Sequence, residues 1–262
     1  MIELNGKSIN IDSFPDGTIL MKQEQTFAPC AHIEWTYEND REFLALIYLV
    51  KHLRRLKYPS VELFMPYIPN ARMDRVKNSE DVFTLKYFTE LLNDLELDRV
   101  AVLDPHSSVS EALINNLTIY KPTKYINEAL NCIASDDILM FYPDEGAMKR
   151  YSDIVKLPYA FGIKKRDWET GKILGLDVSG DVHSIAGKDV LIVDDICSRG
   201  GTFYHSAKKL KELGANKIYL YVTHCENTIL DGDLLASGLI EKVYTTNSIF
   251  TKEHEMMVVF TL

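Results

Sequence analysis

The residues from Val190 to Thr202, VLIVDDICSRGGT, predict more about the fold than any other part of the chain. Val190 to Val193 form a continuous apolar run, which is typical of a strand buried on both faces of a parallel sheet. Two adjacent carboxylates, Asp194 and Asp195, follow at the carboxyl end of that strand, and the polar loop SRGGT comes next. Loop amides and a helix N-terminus can hold a phosphate, while the carboxylates can hold hydroxyls or a cation. The segment therefore favours a sugar phosphate as ligand.

The residues after this loop predict a helix. Phe203, Ala207, Leu210 and Leu213 recur at three- and four-residue spacing, and Gly214 is typical of a C-terminal cap. Glycine loops before helices are common, however, and two acids at a strand end can simply be solvated. The dinucleotide and P-loop signatures, G-x-G-x-x-G and G-x-x-x-x-G-K-[ST], are both absent from this segment.

The composition predicts an ordinary globular protein. The chain has 262 residues, of which 46% are hydrophobic and 26% charged, enough for one large domain or two modest ones. Its net charge of -9 argues against a general nucleic-acid partner, which would need a basic face. The four cysteines are scattered and form neither a metal motif nor a disulfide framework, so we expect reduced thiols.

No segment predicts export or membrane insertion. The first residues, MIELNGKSIN, lack the apolar region of a signal peptide. The longest apolar run, Phe43 to Val50, is too short to span a bilayer. We expect a soluble cytoplasmic protein with no membrane partner.

The two halves of the chain share one pattern. Four strand-like segments each lead into polar residues: Val61 to Met65, Val100 to Leu103, Ile138 to Tyr142 and Val190 to Val193. Apolar residues recur at helical spacing in Arg41 to Leu56, before the first of these segments, and in Val82 to Leu95, before the second. Alternating strands and helices favour parallel sheets, in which ligands bind beyond the carboxyl ends of the strands. A chance likeness between generic α/β units would give the same pattern.

We predict an α/β fold of two similar domains, each a mostly parallel sheet flanked by helices. The first domain covers residues 1–122 and the second 123–254. The apolar tail 255–262 favours a strand that pairs into a sheet. The sheet of the first domain is the candidate for this pairing.

Five further polar segments lie in order along the chain, and each by itself could be a turn, a helix start or a charged loop. They are FPDGT (14–18), PYIPNARMDR (66–75), DPHSS (104–108), PDEGAMKR (143–150) and KKRDWETGK (164–172). Together with the acidic pair and its glycine loop, they resemble the motifs of ribose-phosphate pyrophosphokinases (PRPP synthetases), which have the type I phosphoribosyltransferase fold. Because the motifs occur in that family's own order from Phe14 to about Thr223, the resemblance is specific.

The resemblance implies an ATP site in the first domain. Phe14 and Asp16 match residues that hold adenine, often across a subunit contact, and Thr18 stands where the family usually has Glu. Arg72 and Asp74 match the loop that contacts ATP, where Met73 replaces a usual Gln. Arginine suits phosphate because its planar fork donates two hydrogen bonds.

The resemblance also implies a magnesium site and a catalytic flap. His106, with Asp104 as its acidic partner, and Asp144 match residues that organise Mg²⁺, directly or through water. Since Mg²⁺ prefers oxygen ligands, the role of His106 rests on the resemblance alone. Lys164 and Arg166 match a pair that closes over the transferring phosphoryl group, where neutralising charge is the main chemical need.

In the acceptor site, the resemblance assigns the ribose 2- and 3-hydroxyls to the acidic pair. It assigns the 5-phosphate to the loop formed by Ser198, Arg199, Gly200, Gly201 and Thr202. Ser198 replaces a usual acid and Arg199 a usual Thr, which we expect to make the loop more positive. A diphosphate, as in ADP-ribose, would gain from that charge. The resemblance therefore leaves two acceptors open: ribose 5-phosphate, and the ADP-ribose on which similar virus-borne relatives act.

The implied function is transfer of diphosphate from ATP to the C1 hydroxyl of a ribose 5-phosphoester, with release of AMP. The implied partners are ATP, the phosphoester, Mg²⁺ and further copies of the chain in a dimer or hexamer. Two other classes remain open: a phosphoribosyltransferase that consumes PRPP, and a non-catalytic regulatory homologue. The matches at Phe14, Arg72 and His106 argue against the first, and the flap pair and His106 argue against the second.

Overall fold

The computed structural model describes residues 1–23, 28–166 and 173–262, and for 164–166 and 173–176 it describes the backbone alone. The chain divides into two compact units, Met1–Lys121 and Pro122–Leu262. Each unit contains a parallel-rich sheet and its own apolar core. The predicted α/β class is confirmed.

The first unit alternates strands and helices after two short hairpins. Its elements are β1 (Ile2–Leu4), β2 (Lys7–Ser8), β3 (Ile11–Ser13), β4 (Ile19–Met21), β5 (Cys30–Trp35), α1 (Asp40–Arg55), β6 (Ser60–Phe64), α2 (Thr84–Asn93), β7 (Arg99–Leu103), α3 (Ser108–Leu113) and β8 (Leu117–Tyr120). The main sheet has the order β2-β1-β5-β6-β7-β8, and β3 pairs with β4 in a separate hairpin. Strands β5 to β8 run parallel to one another.

The chain passes through the first sheet in one direction, from β5 to β8. Right-handed crossovers that all step the same way put their helices on the same face. Burial agrees, because Ala31, Ile33 and Trp35 of β5 are buried while the residues between them are exposed. Strand β6, which overlaps the predicted strand-like segment Val61 to Met65, also alternates in burial from residue to residue.

The second unit is built around a longer sheet. Its elements are α4 (Thr123–Ile133), β9 (Ile138–Tyr142), α5 (Glu145–Tyr151), β10 (Tyr159–Arg166), β11 (Ile173–Gly180), β12 (Asp189–Cys197), α6 (Gly201–Glu212), β13 (Ile218–Cys225), α7 (Asp233–Ala236), β14 (Val243–Thr246) and β15 (Met257–Phe260). The strand order is β11-β10-β9-β12-β13-β14-β15. Only β10 and β11 pair antiparallel.

The second sheet reverses direction between β9 and β12. The chain goes from β9 outward to β10 on one side, and from β12 outward to β13 and β14 on the other. Such a switch point opens a crevice at the carboxyl ends of its two strands, and ligands of open α/β sheets bind there. Helices then cover both faces, and every residue of β13 is buried.

The C-terminal strand corrects one expectation. We expected the tail 255–262 to pair with the sheet of the first domain, but β15 runs parallel to β14 in the second unit. Strand β14 is fully buried and needs a neighbour on its open edge. The Phe260 ring stacks on Tyr244 with centroids 6.1 Å apart, which anchors the tail in this position.

None of the helices in the described ranges combines the length and apolarity that a bilayer span requires.

Candidate functional site

The acidic pair lies within the last part of β12, because that strand continues to Cys197 rather than ending at Val193. The extension pairs with β13, where Cys197 lies opposite Cys225. Asp195 is buried, and its Oδ1 lies 3.1 Å from Nη1 of Arg150 on α5. The backbone N–H of Asp195 donates to Oδ1 of Asp194 over 2.9 Å. The pair is thus held rigidly between a strand and the neighbouring helix.

The two carboxylates differ in their electrostatic state. Burial, and then the negative charge of Asp195, raise the pKa of the Asp194 carboxyl well above its usual value, while Arg150 lowers it. A raised pKa means that negative charge here is only partly compensated. Hydroxyl donors or a cation bound at Asp194 would complete the compensation of this negative charge.

The glycine loop is shaped by close contacts on one side and open space on the other. Gly200 has a φ of +79°, and a Cβ there would meet the Leu234 side chain at 2.9 Å. A Cβ on Gly232 would lie 1.9 Å from the Arg199 carbonyl oxygen, so this neighbour must also be glycine. A Cβ on Gly201 would meet nothing within 4 Å. The loop therefore presents its first helical turn to open space, as an anion cradle requires.

Ser198 corrects the expectation of a more positive loop. Its hydroxyl donates to Oε2 of Glu226 over 2.8 Å and lies 3.2 Å from the Thr228 hydroxyl. Thr228 donates to the same Glu226 oxygen over 3.0 Å. A carboxylate thus lies beside position 198 although the residue there is Ser, because the segment after β13 supplies it. Arg199 is exposed and remains the positive side chain of the loop.

Asp144 lies at the end of β9, on the other side of the switch point from β12. It is the N-cap of α5, and its Oδ1 accepts the backbone N–H of Ala147 over 3.0 Å. The interpretation of PDEGAMKR as a helix start is therefore correct in local geometry. Lys149 pairs with Glu145 one turn earlier on the exposed face, over 2.8 Å.

The proposed flap forms a hairpin. Strands β10 and β11 pair antiparallel, with Lys164 opposite Leu176 and Arg166 opposite Ile173. The side chains of Lys164 and Arg166, and residues 167–172 between the strands, lie outside what the structure describes.

In the first unit, FPDGT forms the tip of the β3–β4 hairpin. The Thr18 hydroxyl donates to Oδ1 of Asp16 over 2.7 Å, and the Thr18 N–H donates to the same atom over 3.0 Å. These hydrogen bonds lower the pKa of the Asp16 carboxyl, with the hydroxyl contributing most. Thr18, where the resembling family usually has Glu, thus fixes the Asp16 side chain. Phe14 exposes about half of its surface (48%) at the tip, where a flat ring could stack on a ligand.

Asp74 brings two of the predicted motifs together. Its carboxylate is buried and accepts from Nε and Nη2 of Arg75 over 2.8 and 3.2 Å. The hydrogen bond from Arg75 is the largest cause that lowers the pKa of Asp74, and Ser107 and His106 act in the same direction. The loops PYIPNARMDR and DPHSS therefore meet at this carboxylate, which is ionised and paired.

The remaining predicted residues of the first unit surround this contact. Asp104 is buried directly after β7, with a φ of +45°, and its N–H donates to the Tyr120 carbonyl over 3.0 Å. His106 is half-buried, whereas Arg72 is exposed. The strand ends thus hold the acids inside and present Arg72 outward.

Sequence reasoning missed three contributors. Arg75 and Arg150 were visible as basic residues inside motifs, but nothing in their spacing identified Asp74 and Asp195 as their partners. Glu226 had one usable signal, since it is a charged residue directly after the strand-like segment IYLYVTHC.

Comparisons with known proteins agree with this arrangement. A family model described as the phosphoribosyl synthetase-associated domain matches residues 169–259. The ribose-phosphate pyrophosphokinase 1 of Listeria monocytogenes is 28% identical, with 97% of this chain and 80% of that protein covered. The ribose-phosphate pyrophosphokinase of Pyrococcus furiosus is 29% identical, with 96% and 90% covered. The crystal structure of phosphoribosylpyrophosphate synthetase from Mycobacterium smegmatis matches with a TM-score of 0.79 at 19% identity, covering 97% of this chain and 86% of that one.

The structural match shows the fold: the chain shares the two-unit α/β architecture of that synthetase. The domain match and the curated relatives make the chain similar to ribose-phosphate pyrophosphokinases. Both curated relatives are diphosphotransferases, which supports the prediction that the chain is an enzyme.

Proposed function

We propose that the chain transfers the β,γ-diphosphoryl group of ATP to the C1 hydroxyl of ribose 5-phosphate, forming PRPP and releasing AMP. One observation carries the proposal: an acidic pair and an open glycine loop lie at the switch point of the second sheet. In the reaction a bond forms between the C1 oxygen and Pβ, and the bond between Pβ and the oxygen bridging to Pα breaks. The hydroxyl proton passes to solvent.

The acceptor binds to the second unit in this proposal. Asp194 and Asp195 accept hydrogen bonds from the ribose 2- and 3-hydroxyls, which relieves the uncompensated charge at Asp194. The amides of residues 198–202 hold the 5-phosphate at the start of α6. Arg150 keeps the Asp195 carboxylate oriented, since the two already lie 3.1 Å apart.

ATP binds to the first unit in this proposal. Arg72 contacts phosphate and Phe14 stacks on the adenine, while Asp16 accepts from polar groups of the base. Asp74 acts mainly by positioning, because Arg75 already occupies its carboxylate in a two-bond contact. His106 lies beside the same carboxylate.

The residues of this chain fit Mg²⁺. Asp144 and the acidic pair offer carboxylate oxygens, the ligand type that Mg²⁺ prefers, and the raised pKa of Asp194 indicates a deficit of positive charge. Asp144 is the residue of the second unit proposed to hold Mg²⁺, directly or through water, and His106 is a separate candidate on the first unit. When bound, Mg²⁺ supplies positive charge to the phosphoryl oxygens.

Lys164 and Arg166 complete the proposed site by neutralising charge on the transferring group. Replacing Lys164 with Ala should nearly abolish turnover and spare binding of ribose 5-phosphate, measured by calorimetry. Lys165→Ala is the matched control, because it removes the same charge from the adjacent position of the same strand. Equal losses in both variants, or none in Lys164→Ala, would remove the flap from the mechanism.

A second acceptor, ADP-ribose, is favoured by exposed Arg199 next to the phosphate loop. The Glu226 carboxylate beside Ser198 weakens this case, since it restores negative charge to the loop. On balance these contacts favour the single phosphate of ribose 5-phosphate.

One experiment tests the whole proposal. The full chain is incubated with ATP and Mg²⁺, and with ribose 5-phosphate or ADP-ribose separately, and the products are weighed by mass spectrometry. AMP together with a diphosphorylated ribose 5-phosphate is the expected result, and the same mass gain on ADP-ribose would favour the second acceptor. Base-dependent release of diphosphate from PRPP, without AMP formation from ATP, would instead identify a phosphoribosyltransferase.

A further inference from the structure

One face of the first sheet carries none of the helices in the described ranges, and three potential metal ligands meet on it. We call this surface the open face, and its residues are exposed or half-buried: Glu3, Cys30, His32, Glu34, Glu62, Phe64 and Arg99. Cys30 and His32 lie two residues apart on β5, so their side chains share a face. Glu62 of β6 is the direct cross-strand neighbour of His32.

The three side chains already lie at coordination spacing. Sγ of Cys30 is 3.8 Å from Nδ1 of His32, and that nitrogen is 3.5 Å from Oε2 of Glu62. All three atoms lie within 4.8 Å of one another. Zinc bonds of about 2.0–2.3 Å arranged as a tetrahedron place neighbouring ligand atoms about 3.3–3.6 Å apart. Two of the three separations therefore match within a few tenths of an ångström, and the third, which is within 4.8 Å, would shorten by at most about 1.5 Å.

The surroundings favour a cation. Glu34 lies two residues after His32 on β5, and its direct cross-strand neighbour on β1 is another carboxylate, Glu3. The Arg99 guanidinium is 3.9 Å from Glu62 and donates to the Tyr120 hydroxyl over 2.6 Å. Negative charge thus exceeds positive charge around the cluster, and Arg99 compensates only part of it.

The cluster borders a cavity of about 380 Å³, which Glu34, Phe64 and Tyr120 also line. Three protein ligands leave one tetrahedral position, and the cavity has room there for water or a small anion. None of the three ligands belongs to the motifs assigned to ATP or to the sugar phosphate.

We propose that Cys30, His32 and Glu62 form a zinc site on the open face of the first sheet. A thiolate, an imidazole and a carboxylate together select a borderline-soft dication and disfavour Mg²⁺, which requires an all-oxygen shell. The bound ion replaces Arg99 as the partner of Glu62 and joins β5 to β6 across the exposed surface.

Cobalt provides a direct test, because tetrahedral Co²⁺ bound to thiolate absorbs in the near ultraviolet and the visible range. The tag-free full chain is stripped with a chelator under reducing conditions and titrated with Co²⁺. We expect one equivalent to produce a thiolate-to-cobalt charge-transfer band, and Zn²⁺ to displace it at one equivalent. Absence of the band in the unmodified protein would overturn the proposal.

Variants identify the ligands. Cys30→Ser should remove the charge-transfer band and weaken metal binding by more than about 100-fold, since loss of outer partners alone costs about 10–100-fold. Cys132→Ser is the matched control, because Cys132 is an exposed free thiol outside the cluster, and it should keep the band. A band that survives in Cys30→Ser, in protein whose circular dichroism is unchanged, would exclude this site.

Arg99→Gln tests the proposal through an expected gain, rather than a loss, of metal affinity. Removing a guanidinium that competes for Glu62 should strengthen Co²⁺ binding about two- to five-fold, the usual range for an exposed ion pair. Weaker binding in this variant would exclude Glu62 as a ligand. These measurements read metal binding rather than turnover, so their outcome is independent of the proposed transferase activity.

Discussion

In both sheets polar residues follow the carboxyl ends of strands, but the two sheets differ in how helices cover their faces. In the first sheet, β5 alternates between buried and exposed residues, and the open face carries none of the described helices. In the second, all eight residues of β13 are buried and helices lie on both faces. Connections that step in one direction leave a face open, whereas connections that reverse between β9 and β12 cover both. The direction of the crossovers therefore decides which sheet offers a surface and which offers a crevice.

The acids at the strand ends differ accordingly. Asp74 of the first unit has a lowered pKa because Arg75 donates two hydrogen bonds to it. Asp194 of the second unit has a raised pKa because it is desolvated beside another carboxylate. The first carboxylate is already satisfied by the protein, and the second is ready for a ligand.

Among the substitutions that compare the two units, Asp195→Asn should have the largest effect. Asp195→Asn removes a buried charge that pairs with Arg150 and, in our proposal, holds a ribose hydroxyl. One charge-assisted hydrogen bond contributes about 1.5–3 kcal/mol, so kcat/KM should fall about 10- to 150-fold. Steady-state kinetics with ribose 5-phosphate measure this. Asp189→Asn, at the other end of the same strand, is the control, and a comparable loss there would show that β12 and not the site is responsible.

Substitutions at the two loop glycines should affect acceptor binding and stability separately. Gly201→Ala adds a methyl group to open space, so the thermal unfolding temperature should stay the same while KM for the acceptor rises about 10-fold. Gly200→Ala forces a left-handed residue against Leu234 and should lower the free energy of unfolding by about 1–3 kcal/mol. If Gly201→Ala binds the acceptor normally, the loop does not cradle its phosphate.

The opposite pKa shifts predict opposite pH dependence of stability. For Asp194 the folded pKa is raised, so its contribution is full below the unfolded pKa of about 3.9 and is lost as pH rises through the folded value. For Asp74 the folded pKa is lowered, so its contribution is present above about 3.9 and is lost as pH falls.

Thermal unfolding at low and neutral pH checks these signs. Relative to the unmodified chain, Asp194→Asn should gain stability at neutral pH, and Asp74→Asn should lose it. Both differences should shrink as the pH falls below about 4. If both variants changed the unfolding temperature in the same direction at neutral pH, the proposed electrostatic difference between Asp74 and Asp194 would be wrong.

Glu226 should give the smallest effect. Glu226→Gln keeps an oxygen that accepts from Ser198 and Thr228 but removes the negative charge beside the loop. KM for ribose 5-phosphate should fall about two- to five-fold, because one partly screened charge contributes less than about 1 kcal/mol. A higher KM would mean that the carboxylate shapes the loop rather than repelling the phosphate.

Much of the fold could be predicted from the sequence where an element depends on residues close together in the chain. The apolar run at Val190, the helical spacing after Phe203 and the hairpin around Gly17 all appear as expected, and Gly214 ends α6 with a φ of +87°. Strand β9 has the predicted bounds, Ile138–Tyr142, and α1 differs by one residue at each end. Each of these features depends on side chains a few residues apart.

Three of the errors concern partners that are distant in the sequence. Strand β12 continues past Val193 because β13 offers pairing as far as Cys225. Glu226 reaches Ser198 from 28 residues away, and the tail pairs with β14 rather than with the first sheet. Spacing within a motif contains no information about such contacts.

The sequence by itself determined the α/β class, the order of its motifs and the chemistry available at each strand end. Those properties follow from hydrophobic periodicity and residue type, which act over a few residues. Only the tertiary structure decided that Arg150 meets Asp195 and that Glu62 joins Cys30 and His32 on the open face. Strand order and crossover direction set these encounters, and they arise from packing the whole chain at once.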